Sequence, residues 1–410
     1  MNRSSQSPLW LEPRLAPKAW GEEIWINSAR PEFPARIAGS RLSLEQILRR
    51  QPQLLGDRPR TLFGDGLPVF AKFIRTDFPP LAHIGFRVRV RPEDFVSWTC
   101  LDIELLGRLR QRLRVPDQRS FRAFARAYES WAEDRALRRW RADPDRDGKL
   151  AASLRRLRTG SAADLSSLLA RLGDNRARIA DVLNEVDLRR QAGNLLLIKA
   201  GLLHALFGLS HQFHPSDPAQ NLGAPKSEAW LPFLQGRDFR LAEVQQSSDS
   251  TCSLADFFTP FLWDKGLRFR KGSACRGLCE SAVRRMIRSM DFRITKIPDI
   301  LCKPQSMEPG PGSRGCRLYQ ILDRPESWPF FTIYRLDLLG TRSRAVSWAA
   351  PARRTFQHIV VLKGSARLAA GARMRLINAR RPAFVPAELP GGFGIAAKEP
   401  ASLLLISVPN

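Results

Sequence analysis

Short apolar stretches separated by turns lie towards both ends of this 410-residue chain, and a helical pattern lies between them. Stretches of this length, bounded by turn residues, are typical of β-strands. From about Pro92 to Leu188 the leucines recur instead at the spacing of one helix face. This order of segments predicts a mainly β protein with an α insertion, in which the strands form barrel-like lobes.

The first half of the chain contains several predicted elements. Strands are predicted at residues 22–27, 67–76 and 81–89, and a helix at residues 43–50. Within the helical block, Ser161 is expected to begin a helix that Gly173 ends, because serine favours helix starts and glycine favours helix ends. Asp174 is expected to begin a second helix that carries Ile179 and Val186 on one face.

The second half is predicted to be β again. Strands are expected at residues 194–199, 204–209 and 240–246, and one helix at residues 275–290. The segment 303–316 is rich in proline and glycine, and we interpret it as a linker. Beyond it a last all-β lobe is predicted, with strands at residues 330–338, 355–362, 366–368, 383–386 and 402–408.

The composition excludes several classes of protein. Hydrophobic residues make up 43% of the chain and charged residues 26%, as in globular proteins rather than disordered ones. No apolar run is long enough to span a membrane, and the N-terminus has no apolar stretch with a cleavage site. We therefore expect a cytoplasmic protein with no membrane partner, whose six cysteines are reduced thiols. Cys275 and Cys279, one helical turn apart, fit two ordinary thiols better than a shared metal.

The net charge of +26 suits a nucleic-acid partner only if the charge is gathered on one surface. Arginines run instead through the predicted helices, strands and loops alike, and no aromatic residues interleave with them as stacking platforms. We interpret the charge as a solvated surface and expect no nucleic-acid partner.

A cluster of histidines is the strongest candidate for chemistry. Three of the five histidines, His204, His211 and His214, fall within eleven residues, and Glu228 follows fourteen residues later. Alternate residues of a strand share one face, so imidazoles and a carboxylate on neighbouring strands can converge on one divalent ion. The alternative is that these are surface and turn histidines in a loop interrupted by prolines. The metal-site hypothesis requires that His204 and Glu228 reach the same ion.

Three further features have a functional and a plain interpretation. The run Asp143–Gly148 begins like a calcium-binding loop, but Leu154 stands where a bidentate glutamate is required, so a turn between helices is favoured. The polar run Glu243–Thr251 either caps a turn or lines the mouth of a barrel. Lys226, two residues before Glu228, suits a phosphate or hydroxyl group, although isolated lysines are usually solvated.

Several segments resemble the type I mannose-6-phosphate isomerase family. The segments 18–25 (KAWGEEIW), 39–56 and 67–74 (LPVFAKFI) resemble the family's entry motif, the helix after it and the strand that leads to its metal site. Residues 199–206 (KAGLLHAL) and 243–251 (EVQQSSDST) are similar to its Pro-x-Gly-x-x-His-Ala strand and its Glu-Ile-Gln-Gln-x-Ser-Asp run. The likeness covers most of the chain outside the helical block.

The resemblance implies cupin lobes of the double-stranded β-helix (jelly-roll) type plus a helical domain. Its implied divisions are an N-terminal part of the catalytic lobe (1–90), a helical insertion (91–190), the remainder of that lobe with the metal site (191–302), a linker (303–316) and a C-terminal cupin-like lobe (317–410). It also implies a zinc-type divalent ion (Zn²⁺ or another) and a sugar phosphate substrate. Gapless alignment from Lys72 puts His83 at the glutamine of the family's Gln-x-His-Pro motif and Gly85 at its histidine.

By this resemblance we expect a metal-dependent aldose–ketose isomerase that converts mannose 6-phosphate to fructose 6-phosphate. The expected metal ligands are His83, His204, His214 and Glu228. Lys226, Arg268 and Arg270 are the expected catalytic side chains, the two arginines standing in for a family arginine absent from its usual place. Gln245, Gln246 and Asp249 are expected to bind the sugar. The alternative hypothesis is a non-catalytic cupin that binds sugar or metal.

Overall fold

A computed structural model shows a mainly β protein with few helices. The structure describes residues 7–18, 21–30, 33–76, 81–113, 162–206, 239–247, 280–281, 283–341, 346–350, 355–371, 373–387, 389 and 392–409. No helix within these ranges is both long enough and apolar enough to cross a bilayer.

The strands are short and lie on both sides of the helical block. In chain order they are β1 (Leu9–Glu12), β2 (Arg14–Lys18), β3 (Gly21–Trp25), β4 (Arg36–Ile37), β5 (Val69–Thr76), β6 (Leu81–Phe86), β7 (Leu183–Asp187), β8 (Leu195–Leu196), β9 (His204–Leu206), β10 (Phe239–Gln246), β11 (Leu301–Cys302), β12 (Gln305–Met307), β13 (Cys316–Arg324), β14 (Trp328–Leu339), β15 (Val346–Ala349), β16 (Gln357–Lys363), β17 (Ser365–Ala370), β18 (Arg373–Asn378), β19 (Ala383–Val385), β20 (Gly394–Ala397) and β21 (Pro400–Ser407).

The helices fall mostly in the first half. They are α1 (Leu44–Arg50), α2 (Asp57–Phe63), α3 (Pro92–Leu113), α4 (Ala162–Asp181) and α5 (Ile297–Ile300), with 3₁₀ turns at Pro52–Leu55 and Leu188–Gln191 and helical residues at 280–281 and 283–287. The start of α1 was correctly predicted, because the Ser43 side chain accepts a hydrogen bond from Gln46 N while the Gln46 side chain accepts one from Ser43 N. This reciprocal capping box satisfies two of the amide groups that a helix start leaves without a partner.

Two antiparallel sheets form the C-terminal part. One has the strand order β12-β13-β14-β21-β16-β19-β1-β4, and the other has the order β15-β20-β17-β18. Their facing sides share a core that includes Leu336, Trp348, Ile359 and Leu403. The N-terminal strand β1 joins this part, since Leu9 is opposite Phe384 in the ladder with β19.

Two further sheets form the part that contains the candidate site. A four-stranded sheet has the order β10-β5-β3-β2, and a three-stranded sheet has the order β7-β6-β9. Phe86 of the three-stranded sheet packs in a core that also contains Phe95 of α3 and Leu172 of α4. Helices α3 and α4 therefore lie against this sheet.

Two local predictions were wrong. Helix α4 continues through Gly173, so residues 161–173 and the residues after 174 do not form two helices. The predicted helix also stops before Val186, because Leu183–Asp187 is strand β7 and pairs with β6. Within the predicted linker 303–316, residues Gln305–Met307 form β12 and pair with β13.

Candidate functional site

A lysine whose side chain is only 11% exposed lies between two carboxylates on the four-stranded sheet. The Lys72 Nζ atom lies 3.3 Å from Glu23 Oε1 and 3.3 Å from Glu243 Oε2. Burial by itself lowers the pKa of the Lys72 ammonium, but the charges of Glu243 and Glu23 and their hydrogen bonds outweigh it, and the pKa is raised. Lys72 is therefore a permanent cation inside the protein at neutral pH.

Strand pairing explains why these three side chains meet. Lys72 of β5 is directly opposite Glu243 of β10 on one side and Trp25 of β3 on the other. Glu23 lies two residues before Trp25 and therefore on the same face. The cluster belongs to one face of the sheet, while the other face, with Val69, is part of the main hydrophobic core.

The three-stranded sheet carries His204 on one face. His204 of β9 is opposite Ile84 of β6, which in turn is opposite Asn184 of β7. The His204 ring is exposed, and its Nδ1 lies 3.0 Å from the carbonyl oxygen of Leu202. A carbonyl oxygen can only accept, so Nδ1 is the donor of this hydrogen bond and Nε2 is the ring nitrogen left for another partner.

The face with Lys72 and the face with His204 turn towards each other. Ile74 and Leu241 lie on the Lys72 face, since each is two residues from a member of the cluster. Both pack in one hydrophobic cluster with Ala82 and Ile84, which lie on the His204 face. The candidate site is thus the region where these two faces meet, with a lysine and two carboxylates on one face and an imidazole on the other.

His83 does not lie on the same face as His204. In the β6–β9 ladder His83 is opposite Ala205, so its side chain leaves the sheet on the other side from His204. The ring is buried, its Nδ1 has no hydrogen-bond partner among the described residues, and burial lowers its pKa to about 4. This placement does not favour one ion shared by His83 and His204.

Gly85, where the resemblance would place a motif histidine, has a backbone conformation that excludes a side chain. Its φ of +59° is a backbone conformation that L-residues with a side chain rarely adopt. A Cβ atom there would lie 2.3 Å from Thr295 Oγ1 and 2.9 Å from Leu202 Cδ1. The bulge at Gly85 leaves no space for an imidazole.

The residues around His204 provide a limited fit to a divalent ion. An imidazole with Nδ1 fixed by a carbonyl and Nε2 free is the usual state of a histidine ligand. Its neighbours on the same face, however, are apolar residues such as Ala82, Ile84 and Val186, and the Asn184 amide donates to the carbonyl groups of Ile84 and Thr295 at 3.1 and 2.8 Å. Within the described residues no group of three possible ligands is found.

Several predicted site residues lie outside the described residues: His214, Lys226, Glu228, Asp249, Arg268 and Arg270. Of the predicted sugar-binding residues, Gln245 and Gln246 are placed on β10. Gln245 is opposite Phe70 and shares the face of Lys72, whereas Gln246 is opposite Val69 and shares the face of the core.

The sequence predictions missed Lys72, Glu23 and Glu243 as site residues. All three lie in segments that resemble the isomerase family, and the alternation of a strand puts Glu23 with Trp25, and Glu243 with Gln245, on one face. What the sequence does not contain is the register that brings β3, β5 and β10 side by side.

Comparisons with known proteins support the fold. No protein-family model matches the sequence, and no curated protein matches it either. The structure is similar to phosphomannose isomerase from Salmonella typhimurium in its apo form, with 12% identity and a TM-score of 0.51. The same enzyme bound to fructose 6-phosphate and zinc matches equally well (12%, 0.51), and a lysine-to-alanine mutant of it matches with 13% identity and a TM-score of 0.52. Each alignment covers 98% of this chain and 100% of the other. The predicted resemblance to this family is confirmed at the level of the fold.

Proposed function

We propose that this protein binds a hexose phosphate between the two sheets and converts the aldose into the ketose, as in the step from mannose 6-phosphate to fructose 6-phosphate. The observation that carries the proposal is the Lys72 cluster, which faces His204 in a fold similar to phosphomannose isomerase. We also propose that the paired sheets are cupin lobes. Carbohydrate metabolism in the cytoplasm would be the setting of such a reaction.

The cluster contains groups suited to this chemistry. Isomerisation moves one proton from carbon 2 to carbon 1 of the sugar and another from the hydroxyl of carbon 2 to the oxygen of carbon 1, while negative charge develops on the oxygens of an enediol-type intermediate. Glu243 would accept the proton and return it to the neighbouring carbon, because its side chain is 28% exposed and its only ion pair in the described part of the chain is with Lys72. The Lys72 ammonium would stabilise the developing charge.

The divalent ion is part of the same proposal. His204 would be one ligand, and Glu228 and His214 would have to supply others from the segment after β9. A zinc-type ion bound there would polarise the carbonyl and hydroxyl oxygens of the sugar. His83 is the weakest member of the expected ligand set, because it leaves the sheet on the opposite face.

A second function is favoured by one observation. The positions next to His204 on β6 and β7 are the apolar Ala82, Ile84 and Val186, together with Asn184, whose amide donates to backbone carbonyl groups. Apolar residues there would suit a non-catalytic protein that binds a sugar without turnover.

One experiment separates the two functions. The full chain is purified, its bound metal is measured by mass spectrometry, and formation of fructose 6-phosphate from mannose 6-phosphate is followed with and without a chelator. Turnover that disappears in Glu243→Gln but not in the exposed control Glu308→Gln would support the isomerase. Binding of fructose 6-phosphate without any turnover would support the second function, and the absence of both would contradict the proposal.

A further inference from the structure

The two carboxylates that hold Lys72 differ in how many of their oxygens have a partner and in how exposed their side chains are. Glu23 is 3% exposed; its Oε1 lies 3.3 Å from Lys72 Nζ, and its Oε2 accepts a hydrogen bond from Trp25 Nε1 at 3.0 Å. Glu243 meets Lys72 through Oε2 alone, and 28% of its side chain is exposed. One carboxylate is therefore fixed inside the sheet, and the other has an oxygen that a ligand can approach.

Trp25 is itself held rigidly. Its ring stacks on Phe70, with centroids 4.9 Å apart and planes 13° apart, and lies 5.0 Å from the ring of Phe33. The Lys72 Nζ atom lies 5.7 Å from the Trp25 ring centroid, within the range of a cation–π interaction. Ring packing by Phe70 and Phe33 therefore holds Trp25 in place, and the Trp25 hydrogen bond holds Glu23. Trp25 and Glu23 both contact Lys72.

We infer that Glu23 is a positioning residue, which together with Trp25 holds the Lys72 ammonium beside Glu243 and leaves the second oxygen of Glu243 free for the ligand. This inference rests on the proposed function and extends it. Without Glu23, only one carboxylate would oppose the cost of burying the lysine charge, and the ammonium would be free to change its position.

The charge of the cluster also predicts which end of a sugar phosphate lies against it. One lysine and two glutamates have a net charge of −1, so the cluster favours a hydrogen-bond donor such as a sugar hydroxyl and disfavours a phosphate. In the described part of the chain, two arginines lie close to the aromatic rings beside this cluster: the Arg14 guanidinium is 5.4 Å from the Phe33 ring centroid, and the Arg30 guanidinium is 6.0 Å from the Trp25 ring centroid. The hydroxyl-bearing end of the ligand is therefore expected at Glu243, with the phosphate away from it.

The test is the substitution Glu23→Gln in the full chain, which keeps the shape of the side chain but removes its charge. The pKa of Lys72 is measured by labelling the individual lysines at a series of pH values and quantifying the products by mass spectrometry, with Lys72→Arg to identify the Lys72 signal. We expect Glu23→Gln to lower the pKa of Lys72 and to reduce kcat by at least about tenfold with a smaller change in KM. Glu308→Gln, at an exposed glutamate, is the matched control and should change neither.

A second variant tests the same contact in case Glu23→Gln does not fold. Trp25→Phe keeps an aromatic ring but removes the hydrogen bond to Glu23 Oε2, and it should shift the pKa of Lys72 in the same direction as Glu23→Gln. Glu23→Asp should restore part of the wild-type pKa. An unchanged pKa of Lys72 in both folded variants would overturn the inference. If the pKa shifts as expected but the wild-type chain neither binds nor isomerises a hexose phosphate, Glu23 does position Lys72 and the proposed function is wrong.

Discussion

The imidazole ring of His358 lies 5.4 Å from the ring of Phe384, in a core where no water reaches it. The ring of Phe356 lies on its other side at 5.1 Å, and neither ring nitrogen of His358 has a hydrogen-bond partner of normal geometry among the described residues. Burial lowers the pKa of His358 to about 3, an effect that the nearby backbone of Val69 offsets only in part. His358 therefore stays neutral in the folded protein at any pH above this value.

This neutral histidine predicts how stability depends on pH. In the unfolded chain the pKa returns to the ordinary 6.5, so between pH 6.5 and about pH 3 the unfolded state binds a proton that the folded state does not. The stability is complete above pH 6.5 and decreases as the pH falls. We expect acidification from pH 7 to pH 4 to cost about 3 kcal/mol through this one group.

Denaturant unfolding of the wild type and of His358→Leu at several pH values measures the effect. The leucine variant should lose less stability than the wild type between pH 7 and pH 4. Part of the slope should remain in His358→Leu, because burial also lowers the pKa of His83, to about 4. Parallel curves for the wild type and His358→Leu would contradict the prediction.

The bulge at Gly85 predicts a large effect of a single methyl group. A Cβ at this position would lie 2.3 Å from Thr295 Oγ1 and 2.6 Å from Thr295 Cβ, so Gly85→Ala needs a shift of the chain around Thr295. Gly39 is the matched control, because its φ is +75° but a Cβ added to it would have no described neighbour within 4 Å. We expect Gly85→Ala to lower the free energy of unfolding by about 2 kcal/mol more than Gly39→Ala. Equal losses, measured by denaturant unfolding, would show that the site can relax.

The Gly85 result also shows where prediction from the sequence stops. Short apolar stretches located eleven of the 21 described strands, and the Ser43 signal located the start of α1, because both depend on residues that are close in sequence. Gly173 failed as a helix end since the packing of α4 against α3 outweighs the small cost of a glycine inside a helix. That a histidine cannot stand at position 85 depends on Thr295, which is distant in the sequence and could not be foreseen.

Prediction of the candidate site from the sequence was limited in the same way, because it depends on contacts between distant segments. Alternation along each strand puts Glu23 with Trp25 and Glu243 with Gln245, but only the ladders with β5 put them all beside Lys72. The expectation that His83 and His204 share an ion took no account of register. A shift of one residue moves a side chain to the other face, and the observed ladder places His83 opposite Ala205.

Opposite placement of the two histidines gives a prediction about metal binding. If zinc is bound as proposed, His204→Ala should lose it, because the free Nε2 of His204 is the best-placed ligand in the described part of the chain. His83→Gln should retain the metal, since its side chain leaves the other face of the sheet. Metal content per folded protein, measured by mass spectrometry after size exclusion, distinguishes the two variants. Loss of metal in a folded His83→Gln variant would show that His83 is a ligand after all.

The neighbouring glutamines Gln245 and Gln246 allow a comparison on a single strand. Gln245 lies on the face of Lys72 and Glu243, so its amide can hydrogen-bond a ligand between the sheets, whereas Gln246 lies on the face of Val69 and the core. A lost hydrogen bond of about 1 kcal/mol weakens binding roughly fivefold to tenfold. Gln245→Ala should therefore weaken the binding of fructose 6-phosphate in isothermal titration calorimetry by about this factor, and Gln246→Ala should leave the affinity unchanged. The reverse order of effects in folded variants would mean that the ligand does not lie on the Lys72 face, and the space between the two sheets would then not be the binding site.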